Sequence, residues 1–462
     1  MCIWRSTAGS SAIFGVWRSS WLVLAVLAVV PAAVVQAQQA RPEGGTRSGA
    51  PASPPTPAKS LGEQVGDRLV QKFQAAWPDH PEWVAMFVDI LRGSQLGPGD
   101  GWFKKAVAQT RYDWKSTRQR LDRDGDGRIG RAEFAGSDAE FHRLDRDRDG
   151  SLGERDFDFS AHALVPSPGA MAFYAWDHDG NGKLTREELE DFFRSADSGG
   201  TGFLALSDLQ EAMAPPSRPK GSSGGPQGPT RLTLIKGLFR QEIGSLQPGP
   251  ALGTAAPDFA LKTVDGKEEI RLSTQVGPKP VVLVFGNFTC GPFRSQAGNV
   301  EKLYRRYKDR ATFVMVYVRE AHPTDGWRME SNDRVEVSIP QPQSDAERIQ
   351  VAQTCSKRLE LGMPMLVDTI HDTVGARYSG MPSRLYLLDH RGRVAYKSGR
   401  GPFGFKPAEL EHSLILLLQD EFADLKDKDS SAASNRKPEA VPPTETDRPA
   451  STARLAQPAS RP

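Results

Sequence analysis

Residues 280–293 read PVVLVFGNFTCGPF, and the reading of this 462-residue chain turns on them. Apolar side chains run from Val281 to Phe285 without a break, the pattern of a strand buried on both faces. Thr289, Cys290, Gly291 and Pro292 follow, and the polar stretch to Arg310 reads as helix. Proline is favoured in the first turn of a helix, so Cys290 falls where a strand hands over to a helix. Free backbone N–H groups and the positive end of the helix dipole favour a thiolate at such a place. The expectation is a lowered Cys290 pKa and a nucleophilic sulfur, with a buried, inert cysteine as the plain alternative.

Working outward, ATFVMVYV (311–318) is a second buried strand, residues 346–359 form a helix, and residues 365–367 a short strand. Met381 and Pro382 lead into a strand at 384–388, then another at 393–397, and a last helix at about 407–422. A β-α-β half followed by a β-β-α half is the thioredoxin arrangement, and Pro382 opens the penultimate strand where that fold carries its cis-proline. Thioredoxins read C-G-P-C at the helix start. Phe293 stands in the last place here, so a dithiol cannot close locally. The peroxiredoxin spacing P-x-x-x-T-x-x-C is absent as well, with Leu283 and Asn287 in the required places.

Three cysteines, Cys2, Cys290 and Cys355, are too few for a disulfide scaffold and too scattered for a Cys-rich zinc site. Lys and Arg total 59 against 57 Asp and Glu, which leaves no global field for gripping nucleic acid. Residues 1–42 carry no acidic side chain, and an apolar run from Trp21 to Val35 ends at Val35, Gln36 and Ala37. That run is short for a bilayer span, which needs about 20 residues. Residues 1–37 therefore read as a signal peptide whose cleavage removes Cys2, the alternative being a retained membrane anchor. The expected location is outside the cytoplasm, periplasmic or secreted, with no stable membrane span after cleavage. Stretches rich in Pro, Gly, Ser and Ala at 38–60, 214–231 and 424–462 read as disordered linkers and a disordered tail. They leave two folded blocks, a helical one at 61–213 and an α/β one at 232–423.

The helical block opens with Leu69, Val70, Phe73 and Trp77 at helical spacing and then repeats a loop. Asp122, Asp124 and Asp126 occupy positions 1, 3 and 5 of a twelve-residue EF-hand loop. Gly127 makes the turn, Arg128 offers its carbonyl, Ile129 is the apolar residue at position 8, and Glu133 closes position 12. Calcium takes many hard oxygens at once, and only a tightly wound loop converges them. Asp145, Asp147, Asp149, Ser151 and Asp156 repeat the pattern with a shorter acid at position 12, hence a weaker expected site. Asp177, Asp179, Asn181, Lys183 and Glu188 match it in full. A fourth copy, from Asp197 to Asp208, has Gly199 in place of an oxygen ligand and reads as degenerate. Only residues 134–144 separate the first two loops, and 189–196 the last two, room for one short helix each. A groove-opening sensor needs longer helix pairs. The expectation is a compact module held together by calcium and joined to the α/β block by a flexible linker.

GNFTCGPFRSQ (286–296), YVREAHPTDGW (317–327), PSRLY (382–386) and GRGP (399–402) together resemble the iodothyronine deiodinases, in order from Val281 to about Asp420. Together with the loops this reads as a multidomain chain, an α-helical EF-hand module followed by an α/β thioredoxin-like domain, and the resemblance implies that the latter performs thiol-dependent reductive dehalogenation of a small aromatic substrate. In that family a selenocysteine at the position of Cys290 attacks iodine. Thr289 and Tyr317 lie in the matching motifs, Glu320 and His322 match residues that bind the substrate hydroxyl and supply protons, and Arg400 matches a substrate-contacting arginine. An external thiol reductant would regenerate the site. Departures are plain: cysteine replaces selenocysteine, Phe288 stands where some members have a resolving cysteine, and a second substrate-binding histidine falls at Pro342. Cys355 is then the internal candidate for a resolving thiol, or else a buried helix cysteine. Two other readings stay open: a thiol peroxidase or disulfide reductase, and a calcium-dependent binding or scaffold protein without turnover.

Overall fold

A computed structural model describes residues 61–77, 82–95, 107–160, 168–214 and 229–434. The expected signal, the first linker, most of the second and the tail beyond Ser434 lie outside these residues.

Eight strands make one sheet among the described residues: β1 (Gln109–Thr110), β2 (Ala260–Thr263), β3 (Glu269–Arg271), β4 (Val281–Gly286), β5 (Thr312–Tyr317), β6 (Met365–Val367), β7 (Arg384–Leu388) and β8 (Val394–Lys397). Their order is β1-β8-β7-β4-β5-β6-β2-β3. The apolar run at 281–286 becomes the fully buried β4, parallel to β5 from Val281 opposite Thr312 to Gly286 opposite Tyr317. β7 runs antiparallel on the other side of β4, with the Met381–Pro382 peptide cis just before it. The β4–helix–β5 half and the β7–β8–helix half are those read from the sequence. The β2–β3 hairpin was not: it turns at Asp265 and Gly266 (φ +71°) and extends the sheet beyond β6.

The calcium loops wind as their glycines require, with φ between +77° and +90° at Gly127, Gly150, Gly182 and Gly202. Ile129 and Leu152, position 8 of the first two loops, exchange backbone hydrogen bonds at 3.0 and 2.9 Å and pair those loops. Single short helices join the loops, as the spacing demands. Asp138–Leu144 starts on a capping box between Ser137 and Glu140, and Arg186–Ala196 on one between Thr185 and Glu188.

The relation between the blocks differs from expectation. Ile129, Phe134, Phe141, Leu144 and Leu152 belong to the same continuous core as the sheet, and β1 pairs with β8. Arg310 reaches Glu140 at 2.5 Å, Arg120 reaches Asp420 at 2.5 Å, and Arg111 reaches Asp389 at 2.6 Å. So small a helical unit has too few apolar residues to bury one another alone. It completes its core on the sheet domain instead of hanging from a linker. Of the helices ahead of the loops, Leu61–Ala76 packs on Glu82–Leu91, and Met86, Phe87 and Ile90 of the latter cluster with Leu234, Ile235 and Leu238 of helix Arg231–Phe239, against Trp327 and Phe403. The last helix also differs, running from Pro407 to Ser434 rather than ending near 422. Among the described residues no helix is long and apolar enough to cross a membrane.

At one place the blocks meet backbone to backbone. A Cβ on Gly182, in the third loop, would strike the carbonyl of Arg294, and one on Gly298 would strike that of Gly182. Lys183 adds an ion pair to Glu360 at 2.7 Å.

His412 of the last helix is sealed between Phe157 and Phe159, ring centroids 4.4 and 5.6 Å away, and its Nε2 is buried without a partner. Burial, helped by the nearby Arg146 charge, pushes its pKa down to about 3. The native state then takes up its proton later than the unfolded chain, so stability falls as pH drops below about 6.5. We expect His412→Phe to recover on the order of 2 kcal/mol of unfolding free energy at pH 4.5 relative to pH 7.5. Urea melts of the two proteins at both pH values measure it, and parallel losses would exclude His412 as the source.

Candidate active site and calcium loops

Cys290 caps helix Gly291–Tyr307, with Pro292 in the first turn. Asn287, the residue that ends the apolar run, knots three chain segments beneath it. Its Oδ1 accepts the N–H groups of Cys290 at 3.0 Å and Ala321 at 3.2 Å, and its Nδ2 donates to the Pro382 carbonyl at 2.9 Å. The loops after β4 and β5 and the turn before β7 are thereby fixed to one another.

Glu320 sits in this knot, fully buried. It accepts the Thr289 N–H at 2.9 Å, the Thr289 hydroxyl at 2.7 Å, and the Tyr317 hydroxyl. Burial raises its pKa although all three donors oppose that shift, so the carboxyl can take up a proton and return it inside the network. Burial likewise pushes the Tyr317 phenol well up. His322 follows two residues on, its N–H donating to the Thr289 hydroxyl at 3.0 Å. Its Nδ1 lies 3.0 Å from the Trp327 carbonyl, which can only accept, so Nδ1 carries the hydrogen and Nε2 a free lone pair. The ring keeps some solvent exposure, but the protein crowds it enough to bring its pKa down to about 4. With its pKa near 4, His322 is an acceptor at neutral pH and not the proton source the resemblance implies.

The expectations for Cys290 and Arg400 change, while both readings of Cys355 stay open. Cys290 is 1% exposed, and burial pushes its thiol up to about 11, against the smaller downward pulls of the Phe293 N–H and the Arg294 charge. The helix start is as foreseen, but desolvation outweighs the dipole in this closed conformation. Cys355 is a free, buried thiol on helix Asp345–Arg358, also raised by burial; both thiols feel the Arg294 guanidinium, and no bond joins them. Arg400 has no exposed surface. It donates to Ser245 O at 2.8 Å and Ser379 Oγ at 3.0 Å and pairs with Glu82 at 3.1 Å, so its guanidinium is enclosed by protein groups rather than open to a ligand. Asn287, Asn332 and Arg294 were missed. Only the break of an apolar run by Asn287 could have signalled one of them.

In the loops, carboxylate oxygens of Asp122, Asp124 and Glu133, of Asp145, Asp147 and Asp156, and of Asp177, Asp179 and Glu188 each converge within 4.8 Å of one another. Hard oxygens so grouped fit calcium, and the second loop converges despite its shorter Asp156. Asp126, Asp149 and Asn181 at position 5 brace their own loops by accepting the N–H groups of Arg128, Ser151 and Lys183. The Arg128 side chain ties the first loop to Asp149 and to Ser151 of the second. Asp197 and Asp208 are not part of such a group; they accept N–H groups of Thr201, Gly202 and Ala205. An open cleft of about 680 Å³ lies between the third loop and the Cys290-headed helix, lined by Phe173, Tyr174, Lys183, Lys302 and Glu360 but not by Cys290.

Known proteins share these features. The family model described as iodothyronine deiodinase matches residues 233–417, and the EF-hand model matches 119–135 and 170–193. Type I iodothyronine deiodinase of Xenopus laevis is 30% identical over 185 residues, which cover 40% of this chain and 71% of that protein. The chain belongs to the iodothyronine deiodinase family. Thyroxine 5-deiodinase of Gallus gallus is 35% identical over 160 residues, 34% of this chain and 60% of its own; that of Aquarana catesbeiana is 36% identical over 165 residues, 35% and 59%. The chain thus spans about three fifths of the length of those two relatives. A secreted thiol-disulfide isomerase from Corynebacterium glutamicum overlays on 35% of this chain and 84% of its own at 16% identity, TM-score 0.26. The deiodinase match contains Cys290, Glu320 and His322, and the EF-hand matches contain the first and third loops.

Proposed function

We propose that this deiodinase-family chain is an exported, calcium-binding thiol oxidoreductase that removes iodine reductively from a small aromatic substrate. The observation that carries the reading is the placement of Cys290 at a helix start, with Glu320 and His322 held against the same Thr289 by the loop after β5. The Cys290 sulfur takes iodine from the ring carbon, forming S–I as C–I breaks, and the carbon takes a proton that Glu320 can supply. His322 Nε2 accepts the hydrogen of a substrate hydroxyl. A thiol, external or Cys355, then displaces iodide to give a disulfide with Cys290, and exchange with external thiol returns Cys290 as a thiol and carries the oxidation away as an external disulfide. When bound, calcium supplies the charge that holds the three acidic loops wound; the loops bind it through Asp122, Asp124 and Glu133 and their counterparts. Export rests on the apolar N-terminal run and its small-residue end.

A second reading has an observation of its own. The sealed, high-pKa sulfur of Cys290 suits a calcium-dependent scaffold without turnover. Iodide release from an iodinated phenol, with and without dithiothreitol and beside a hydrogen peroxide consumption assay, separates the two. Thiol-dependent iodide release is expected. Peroxide consumption alone would make the protein a thiol peroxidase, and neither activity would leave the scaffold.

A further inference from the structure

We propose that Arg294 is the counter-charge that makes Cys290 ionisable, a role that deepens the assignment of Cys290 as nucleophile. Arg294 lies one helical turn after Cys290 and is 4% exposed. Its Nη1 donates to the Phe288 carbonyl at 2.5 Å and its Nη2 to Asn332 Oδ1 at 2.8 Å, while Asn332 Nδ2 donates to the Thr289 carbonyl at 2.9 Å. These bonds hold the guanidinium under the 288–291 turn that carries the sulfur, and a Cβ on Gly291 would stand 3.8 Å from Nη2. Every acceptor it reaches is neutral.

A guanidinium stays charged in proteins, and a buried charge without a counter-charge is unfavourable. No carboxylate of the described residues lies within 4.0 Å of Arg294, and its Nε is buried without a partner. The acidic groups whose charge it feels are Cys290, Cys355 and Glu320. Glu320 is already served by its three donors, and Cys355 sits mid-helix. Cys290 is the group that gains from the guanidinium and shares its helical turn. Cysteine is a weaker acid than the selenocysteine the family resemblance places here, so a fixed positive charge replaces part of what the element itself would supply.

The test is the rate of Cys290 alkylation by iodoacetamide at pH 8, read peptide by peptide in the full-length protein. Arg294→Met keeps a long side chain in the space but removes the charge. If Arg294 sets ionisation, the rate falls about tenfold, one pKa unit's worth of thiolate. If Arg294 only packs the turn, its loss loosens the turn and the rate rises; an unchanged or faster rate overturns the proposal. Arg294→Lys keeps the charge and loses the fork, and its rate is expected within about threefold of the parent. Should the methionine variant not fold, a tenfold loss in the lysine variant would show that hydrogen bonds, not charge, govern the sulfur and would equally overturn it. Alkylation needs no iodinated substrate, so a normal Arg294 effect with no iodide release would defeat the proposed reaction and leave this inference standing.

Discussion

Serine at position 290 is expected to abolish thiol-dependent iodide release, a loss of roughly 10³-fold or more, while the protein stays folded. In the proposed reaction the sulfur attacks, carries the iodine and is then reduced, and a serine hydroxyl is neither nucleophilic enough nor reducible. The fold should hold because the exchange is nearly isosteric and the site lies beside the hydroxyl of Ser383 and the N–H of Phe293. Burying one more hydroxyl costs about 1–3 kcal/mol at most if it stays unpaired. Iodide release and a thermal melt of Cys290→Ser, side by side, check both halves. Retention of a tenth of the parent's activity would move the chemistry away from Cys290.

Alanine at position 298 should do the opposite of what helix propensity dictates. Glycine to alanine inside a helix ordinarily stabilises by about 1 kcal/mol. Here the new Cβ would fall on the Gly182 carbonyl, well under 3.0 Å away, with the Lys183 side chain alongside. Overpacking of that kind costs about 1–3 kcal/mol, and rigid backbone on both sides leaves no flexible tip to yield. The third calcium loop should therefore lift off the Cys290-headed helix. Limited proteolysis in saturating calcium should cut between 168 and 214 faster in Gly298→Ala than in the parent, and chelation with EGTA should bring the parent toward the variant. The neighbouring exposed Asn299→Ala, whose side-chain amide donates to Gln296 of its own helix, is the control. Equal protection of parent and Gly298→Ala would mean that this contact holds nothing.

Why some of this was legible and some not follows from the range of each interaction. β4, β5 and β7 announced themselves because a strand buried on both faces must be apolar throughout, and three EF-hand loops because ligand chemistry fixes six positions in twelve residues. The β2–β3 hairpin had a signal, Asp265-Gly266, that its polar strands obscured. The shared core had none: Ile129, Phe134 and Phe141 look like any small module's interior, and only three dimensions show them facing the sheet. Arg294 lay in plain view beside Cys290, yet a helical arginine ordinarily points to water. Arg400 shows the converse limit, since a motif match places a residue in the chain and not in a conformation. Its partner Glu82 lies hundreds of positions upstream, where no motif points to it.

The two residues of β1 close what would otherwise be an open flank. Gln109 and Thr110 pair with Lys397 and Tyr396, so β8 offers no free ladder to another chain. Bare edge strands recruit strands from neighbouring molecules, and proteins protect them. Here the protecting segment is held in place by the same N-terminal block that carries the calcium loops. A protease nick in the 214–231 linker would leave that pairing intact, whereas a fragment beginning at Arg231 would present a sticky β8. Removing the N-terminal block is therefore expected to bare β8 and to promote self-association of the thioredoxin-like domain.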